Sequence, residues 1–327
     1  MSKVVLIVGC GQLGSRHLQA VASLSEVSAI HVVDPNAASL VVGQQRIKEI
    51  PDLNPNIKFS WHTSLDGAAP RGDLCIVATQ SKGRPQLIKQ IVERLAYRHF
   101  LVEKVVSQSL QGYEDLMAFC QQRDIAVWVN CKIRTYAIHQ YIKSKLKADE
   151  PLFFSRVGGN FGLGNNGIHA VDLFAFYADA KTIKPVGSSI DPVLHPSKRG
   201  GDLFDLSGCL YGRSEKGDDL VLSLARGHES PDCLTIVSPS GRFFMDHIQK
   251  VAMESYPSSN WQWQPITIDE NWMVSHMTKS FARDILNNKQ CALPTLQQCW
   301  PAHQFILSVL QPHFEQLLGI KDHCPIT

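Results

Sequence analysis

The stretch that most limits what this chain can become is Val4–Val8, an apolar run passing straight into Gly9-Cys10-Gly11-Gln12-Leu13-Gly14. A buried strand ending in G-x-G-x-x-G has a physical job. The first glycine admits a tight turn and the second leaves room for a pyrophosphate against the backbone. The third lets the next helix pack close, with its N-terminal amides aimed at the phosphates. The surroundings agree with that reading. Leu13, Leu18, Val21 and Leu24 give the following segment a helical apolar face. A second apolar run, Ala29–Val33, ends on Asp34, twenty residues past Gly14, about where an acid meets the adenosine ribose. The chain is therefore expected to bind a dinucleotide, with Gly9, Gly11, Gln12, Leu13, Gly14 and Asp34 around it. A carboxylate accepts both ribose hydroxyls and repels a 2′-phosphate, so NAD is expected over NADP. Pro35 and Asn36 bring no arginine for that phosphate, although Arg46 on the following helix is placed to swing in.

A length of 327 residues exceeds one ordinary core, and two domains are expected, 1–129 and 130–327. The first alternates strand and helix patterns: helix to Ile50, an edge strand at Lys58–Trp61, buried strand Asp73–Thr79, and a helix opening at Pro85. Strand Phe100–Val106, helix Leu110–Arg123 and strand Ile125–Val129 complete it. This is the pattern of a doubly wound parallel sheet, α/β, whose ligand lies beyond the carboxyl ends of the strands. Past residue 130 the candidate strands are Phe153–Phe161, Pro185–Ile190, Phe204–Tyr211, Leu220–Ala225, Leu234–Ser238 and Arg242–Asp246. They follow one another with hairpin chemistry between the later ones, so a second α+β domain with a mostly antiparallel sheet is expected. Helices are expected at Ile168–Ala178, Val274–Asn287 and Gln297–Leu318, the last shortened or kinked by Pro301 and Pro312.

The formal net charge of +2 and the lack of any basic block give no reason to expect nucleic acid or a membrane surface as partner. No apolar stretch is long enough to span a bilayer, and no signal-type segment opens the chain. Nine cysteines without C-x-x-C spacing fit a reducing cytoplasm, and no metal-ligand cluster is expected.

Two constellations carry chemistry. Glu103-Lys104 ends a sheet strand, where a lysine would face a bound substrate, although such a dipeptide is by itself most often a solvated pair. Asn165-Asn166-Gly167-Ile168-His169, followed by Asp172, opens a helix after the glycine-dense stretch GGNFGLG. An asparagine there is commonly a cap. His169 and Asp172, at i and i+3, are neighbours on the helix, where the acid either holds the imidazole or is a plain surface charge. Arg134 is placed to meet an anionic substrate group or to stand in solvent.

At these residues the chain resembles the glucose–fructose oxidoreductase, inositol dehydrogenase and rhizopine catabolism family (Gfo/Idh/MocA). The residues that carry the resemblance are the glycine motif, Ala78-Thr79 with Ser81, Glu103-Lys104, and Gly167-Ile168-His169-x-x-Asp172. The resemblance implies a Rossmann domain followed by an open-faced α/β domain that often pairs with a second subunit, hence a homodimer or homotetramer. It implies NAD(P)-dependent oxidation or reduction of sugars, cyclitols and their derivatives. The family's catalytic lysine falls on Lys104 and its acid/base histidine on His169. Its aspartate falls on Asn165, which binds a hydroxyl but takes no proton. Asp172 joins them as a support for the imidazole, and Thr79, Ser81, Glu103 and Lys104 fall on cofactor-contacting positions. Val105 stands where the family usually has proline, and Arg84 where many members carry histidine. The stretch GGNFGLGNNGIHAVDLF and Leu293–Leu296 look similar to a branch associated with surface-polysaccharide sugars. The expected reaction passes hydride between nicotinamide and a secondary alcohol or ketone, with an ammonium and an imidazole acting on one oxygen. An NAD- and sugar-sensing regulator, or an imine or enone reductase, on the same scaffold are the alternatives.

Overall fold

The computed structural model describes residues 2–327 apart from Lys198 and His228, and the chain divides into two compact units. Unit 1 comprises Met1–Ser107, Gln111–Asn130 and Asn271–Gln297. Its strands are β1 (Lys3–Val8), β2 (Val27–Val33), β3 (Lys58–His62), β4 (Leu74–Val77), β5 (His99–Val102) and β6 (Ala126–Val129). Helices α1 (Gly14–Ala22), α2 (Ala37–Ile47), α3 (Arg84–Arg94) and α4 (Leu110–Gln122) connect them. The strands are all parallel, in the order β3-β2-β1-β4-β5-β6. Strand order reverses beside β1, and the crevice at a reversal is where such sheets take ligands. The apolar runs read from the sequence are the buried strands: Val5, Leu6, Ile7, Leu74, Cys75 and Ile76 have no exposed surface. Local chemistry sets the helix starts. Asn36 caps α2 through the Ala38 N–H, and Pro85 sits in the first turn of α3, where its missing N–H costs nothing.

Unit 2 comprises Gln108–Leu110, Cys131–Glu270 and Gln298–Thr327. It opens with α5 (Ala137–Lys145), β7 (Phe153–Gly159) and α6 (Ile168–Ala178). Strands β8 (Ile183–Ile190), β9 (His195–Pro196), β10 (Phe204–Asp205), β11 (Gly208–Ser214), β12 (Asp219–Ala225) and β13 (Cys233–Ser238) follow. β14 (Gly241–Asp246), β15 (Val251–Ser255) and β16 (Gln264–Ile266) complete the strands. Eight of these form one sheet, β16-β15-β14-β13-β7-β12-β11-β8, in which only the β7–β12 pair is parallel. Alternation along β7 sends Phe154 and Arg156 to the buried face and Phe153 and Val157 to the open one. Phe154 meets Phe174 and Tyr177 of α6 at ring-centroid distances of 5.9 and 6.3 Å.

After β16 the chain returns to unit 1 as α7 (Val274–Asn288) and then closes unit 2 with α8 (Leu296–Leu318). A single boundary after residue 129 therefore does not describe the path. The reason is packing: Phe281, Ala282, Ile285 and Leu286 of α7 share one core with Leu18, Val21, Ile30 and Ile76. Burying an aliphatic or phenyl side chain fully contributes about 1.5–3 kcal/mol, so this stripe settles where α7 belongs.

Three expectations change. The run Phe204–Tyr211 splits into β10 and β11, because Asp205 turns inward and Gly208 takes φ +147°. β9, β15 and β16 add three strands to those read from the sequence, β9 being only two residues long and β15 and β16 carrying no clean alternation. α8 holds both Pro301 and Pro312 within one unbroken helix, whose buried Phe305, Ile306, Leu310 and Phe314 offset the lost backbone bonds.

Candidate active site

β1 enters its turn at Gly9, whose φ of +88° favours glycine. A Cβ there would lie 2.8 Å from the Thr79 nitrogen at the end of β4, and one on Gly14 would lie 1.8 Å from the Gly9 carbonyl oxygen. These two glycines are demanded by packing. Gly11 differs: nothing lies within 4 Å of its Cβ position. Its missing side chain preserves open space at the start of α1, which is what a pyrophosphate uses. Asp34 follows β2 and is buried, its Oδ2 accepting the Cys10 N–H at 2.7 Å and its Oδ1 the Asn36 N–H at 2.8 Å. Asp34 is thus locked to the glycine loop. Arg46 rests on the same loop, donating to the Gln12 carbonyl at 2.5 Å and to the side chains of Gln12 and Ser15. The Cys10 thiol is pushed up to about 12, by burial first and the Asp34 charge second, so it packs rather than reacts. Thr79 Oγ1, beside Gly9, is buried with no hydrogen-bond partner among the described residues. An open glycine, a carboxylate just past β2 and an orphaned hydroxyl fit a dinucleotide.

Glu103 and Lys104 follow β5. They are not a solvated pair, for Glu103 is 2% and Lys104 6% exposed. Glu103 Oε1 meets His17 Nε2 at 2.8 Å and accepts from Asn130 Nδ2 at 2.6 Å, while His17 Nδ1 meets Thr278 Oγ1 at 2.9 Å. Burial is the strongest influence on this carboxyl and pushes its pKa up. The hydrogen bond and charge of His17, the Asn130 hydrogen bond and the Lys104 charge together outweigh it, to about 2. The Glu103 side chain, expected against the cofactor, is therefore an internal anchor joining the end of β5 to α1, α7 and the residue after β6. Arg84, fully buried, donates to the carbonyls of Glu103 at 2.6 Å, Val105 and Thr79. It grips the backbone on both sides of Lys104. The Lys104–Val105 peptide is cis although residue 105 is not proline. Ser81 is buried at the start of this segment, its carbonyl accepting the Arg84 N–H at 3.2 Å.

In unit 2, β7 leads through Gly162 into a π-helical turn, Leu163–Gly167, that runs directly into α6. Asn165 lies inside this turn, and Gly167 is the cap residue of α6. The Asn165 backbone N–H and Nδ2 both donate to Asp205, at 3.2 and 2.9 Å. His169 is the second residue of α6 and is half-buried. Asp172 requires a correction. It is 1% exposed, and its two oxygens take Arg134 Nε at 2.8 Å, Arg134 Nη2 at 2.6 Å and the Cys299 thiol at 3.3 Å. It is committed to a buried bidentate ion pair, neither a surface charge nor the support of an imidazole. Arg134 is corrected with it: burial opposes its charge, but the Asp172 carboxylate outweighs burial and moves the guanidinium pKa upward. Cys131, Asp172 and Cys299 place three ligand-type atoms within 4.8 Å of one another, with the Arg134 cation already against the carboxylate.

Sequence reasoning missed His17, Asn130, Thr278 and Asp205, and also a buried chain in unit 2. There Tyr177 Oη meets His139 Nδ1 at 2.6 Å, His139 Nε2 meets His247 Nε2 at 2.8 Å, and Arg156 Nε donates to Asp232 at 2.5 Å. Only His17, a polar residue beside Leu18 on the apolar side of α1, leaves a trace in the pattern.

A family profile, Gfo/Idh/MocA, described as an oxidoreductase family with an NAD-binding Rossmann fold, matches residues 3–131. Solved structures extend the likeness in fold beyond that segment. The structure is similar to the UDP-N-acetylglucosamine 3-dehydrogenase GnnA from Acidithiobacillus ferrooxidans, with TM-score 0.72 and 13% identity, covering 94% of this chain and 97% of that one. It is similar to KijD10, a 3-ketoreductase from Actinomadura kijaniata held with TDP-benzene and NADP, with TM-score 0.71 and 13% identity over 94% and 96% of the two chains. An oxidoreductase from Agrobacterium radiobacter, held with NAD+, L-tartaric acid and magnesium, has TM-score 0.71 and 13% identity over 94% of each chain. In sequence, the chain is 24% identical to 4-carboxy-2-hydroxymuconate-6-semialdehyde dehydrogenase of Sphingobium sp. (strain NBRC 103272 / SYK-6), over 69% of this chain and 73% of that protein. Of these neighbours, one holds NAD+ and another NADP. Among the described residues no helix is long and apolar enough to cross a membrane.

Proposed function

We propose that this protein is an NAD-dependent oxidoreductase that interconverts a secondary alcohol and a ketone on a sugar, and that the sugar is carried on a nucleotide. The observation that supports it most is Lys104, a cation buried at the carboxyl edge of a dinucleotide-binding sheet with its flanking backbone gripped by Arg84. Holding an ammonium out of water is costly, and such groups concentrate where charge develops in a reaction. The bound nicotinamide supplies the hydride acceptor or donor. Lys104 donates a hydrogen bond and a full charge to the oxygen of the reacting carbon. His169 takes the hydroxyl proton during oxidation and returns it during reduction, the work for which imidazole's ordinary range suits it. Asn165 binds a neighbouring hydroxyl. Asp34 selects NAD through the ribose hydroxyls, while Arg46, lying on the same loop, is a feature that favours NADP. The nucleotide-sugar reading draws on GnnA and KijD10, whose names place their chemistry at a 3-position.

The open face of the unit 2 sheet carries Phe153, Val157 and Val251, each at least 40% exposed. That apolar surface supports a homodimer or homotetramer.

The test follows NADH at equilibrium and in turnover. Titration by fluorescence is expected to give a lower Kd for NADH than for NADPH, and equal or reversed values would overturn the Asp34 reading. Incubation with NAD and a panel of UDP- and TDP-sugars is expected to yield NADH with at least one of them. A protein that binds NADH tightly yet reduces no NAD with any sugar in the panel belongs with the sensing regulators instead.

A further inference from the structure

We propose that Asp205 is a positioning residue that fixes which way the Asn165 amide faces, and that this makes asparagine rather than aspartate the residue this turn requires. The consequence for substrate rests on the reading given above. Asp205 ends β10 and is fully buried. Its Oδ1 accepts the N–H groups of Gly164 at 2.9 Å, Asn165 at 3.2 Å and Leu206 at 3.1 Å. Its Oδ2 accepts the Gly162 N–H at 3.1 Å and Asn165 Nδ2 at 2.9 Å. The π-helical turn is thus wrapped around one carboxylate by successive amides, as backbone amides wrap an anion. The glycines belong to the same arrangement, since a Cβ on Gly162 would stand 2.1 Å from Asp205 Oδ1.

A carboxylate only accepts hydrogen bonds, so the asparagine arm turned toward it is the NH₂. The carbonyl is then the other arm. Asn165 offers an acceptor to substrate, and the group it reads there is a donor, a hydroxyl or N–H. An aspartate at this position would set two carboxylates about as far apart as the present hydrogen bond between Asn165 Nδ2 and Asp205 Oδ2. Two such groups cannot both stay ionised. Among the groups that face Asp205, Arg226, just past the end of β12, lies 3.6 Å from Oδ2. His195 on β9 pairs with it through the backbone, and its ring meets Ser207 Oγ at 3.4 Å. The carboxylate of this turn is thus Asp205, held by backbone amides and by the Asn165 side chain, which leaves proton transfer to His169.

The experiment compares thermal unfolding of the full chain at pH 8 and pH 5 for wild type, Asn165→Asp, Asp205→Asn and the double exchange. Wild type at each pH subtracts any contribution of His195. Asn165→Asp is expected to melt roughly 5 °C lower at pH 8 and to regain most of that at pH 5, where the pair takes up a proton. In the double exchange the amide sits at position 205 and donates to a carboxylate at position 165. That variant is expected to melt above the sum of the single losses at pH 8. In a parallel assay with UDP-N-acetylglucosamine as probe, Asn165→Asp is expected to lose at least roughly tenfold in kcat/KM at pH 8, about the loss of one good hydrogen bond, with part restored at pH 6. An Asn165→Asp protein that melts as wild type at pH 8, or is equally impaired at both pH values, overturns the proposal, as do additive losses in the exchange. If wild type does not oxidise UDP-N-acetylglucosamine, whichever sugar of the panel it does oxidise takes its place as probe; if it oxidises none, the sugar reading fails, and the melting comparison by itself still decides the Asp205 assignment.

Discussion

Lys104 and Asn165 are held by opposite kinds of support. In unit 1 a buried carboxylate, Glu103, is satisfied by side chains from three elements: His17 on α1, Asn130 after β6 and, through His17, Thr278 on α7. In unit 2 a buried carboxylate, Asp205, is satisfied mainly by backbone amides of one glycine-rich turn. The first arrangement spreads its dependence over residues far apart in sequence. The second concentrates it in a short stretch where close approach demands glycine. Side-chain support should fail by substitution of distant polar residues, whereas amide support should fail by adding a methyl group.

Five outcomes sharpen that contrast. The largest belongs to the groups being held. Lys104→Ala and His169→Ala are each expected to cut NAD-linked turnover by on the order of 10²–10³ while NADH binding stays within a few-fold; near-normal rates in both would remove the redox assignment. Next comes His17→Ala, which leaves Glu103 charged with one side-chain partner fewer. Breaking a buried pair costs about 3–5 kcal/mol, to be read from a urea unfolding curve. The same carboxylate sets a pH dependence. Its folded pKa, about 2, lies below the ordinary 4.5, so its stabilisation is complete above 4.5 and is lost as pH falls toward 2. By linkage this amounts to about 3 kcal/mol, and Glu103→Gln should flatten the acid limb of the stability curve over that window. Smaller again is Gly162→Ala, where the new Cβ meets Asp205. Strain of this kind costs about 1–3 kcal/mol, and hydrogen exchange should rise locally across 162–168. The smallest effect on stability is expected of Gly11→Ala, whose Cβ enters open space. It should leave the melting temperature unchanged and weaken NADH binding by roughly tenfold, about 1.4 kcal/mol; a loss of stability instead would mean that the loop's open space is structural.

The two supports also explain what can be read from the sequence. Unit 1 is legible because its information is local and periodic. Apolar runs such as Leu74–Val77 are buried strands, and the spacing from Gly14 to Asp34 places an acid on the loop. Lys104 and His169 stand out because each sits beside a recognisable motif. Asp172 misleads because i, i+3 spacing says which residues are neighbours on a helix and nothing about which side faces solvent; α6 is buried on nearly all sides. His17 and Asp205 are hidden for a different reason. Their partners, Glu103 and Asn165, lie 86 and 40 residues away, and nothing periodic links a polar residue to a partner that only tertiary packing supplies. β15 and β16 escape because Val251–Ser255 and Gln264–Ile266 are short and their polar and apolar residues do not alternate cleanly.

The late return of α7 to the nucleotide-binding unit has a practical consequence for anyone wishing to isolate that unit. A gene fragment stopped at residue 130 would encode every strand of the parallel sheet yet omit Phe281, Ile285 and Leu286, exposing a greasy flank and the Thr278 hydroxyl's histidine partner. An exposed apolar patch of this kind is expected to drive aggregation. A circularly permuted or linker-joined chain that splices 271–297 onto residue 130 would keep the flank covered, and is the form in which dinucleotide affinity could be measured without the other half of the polypeptide.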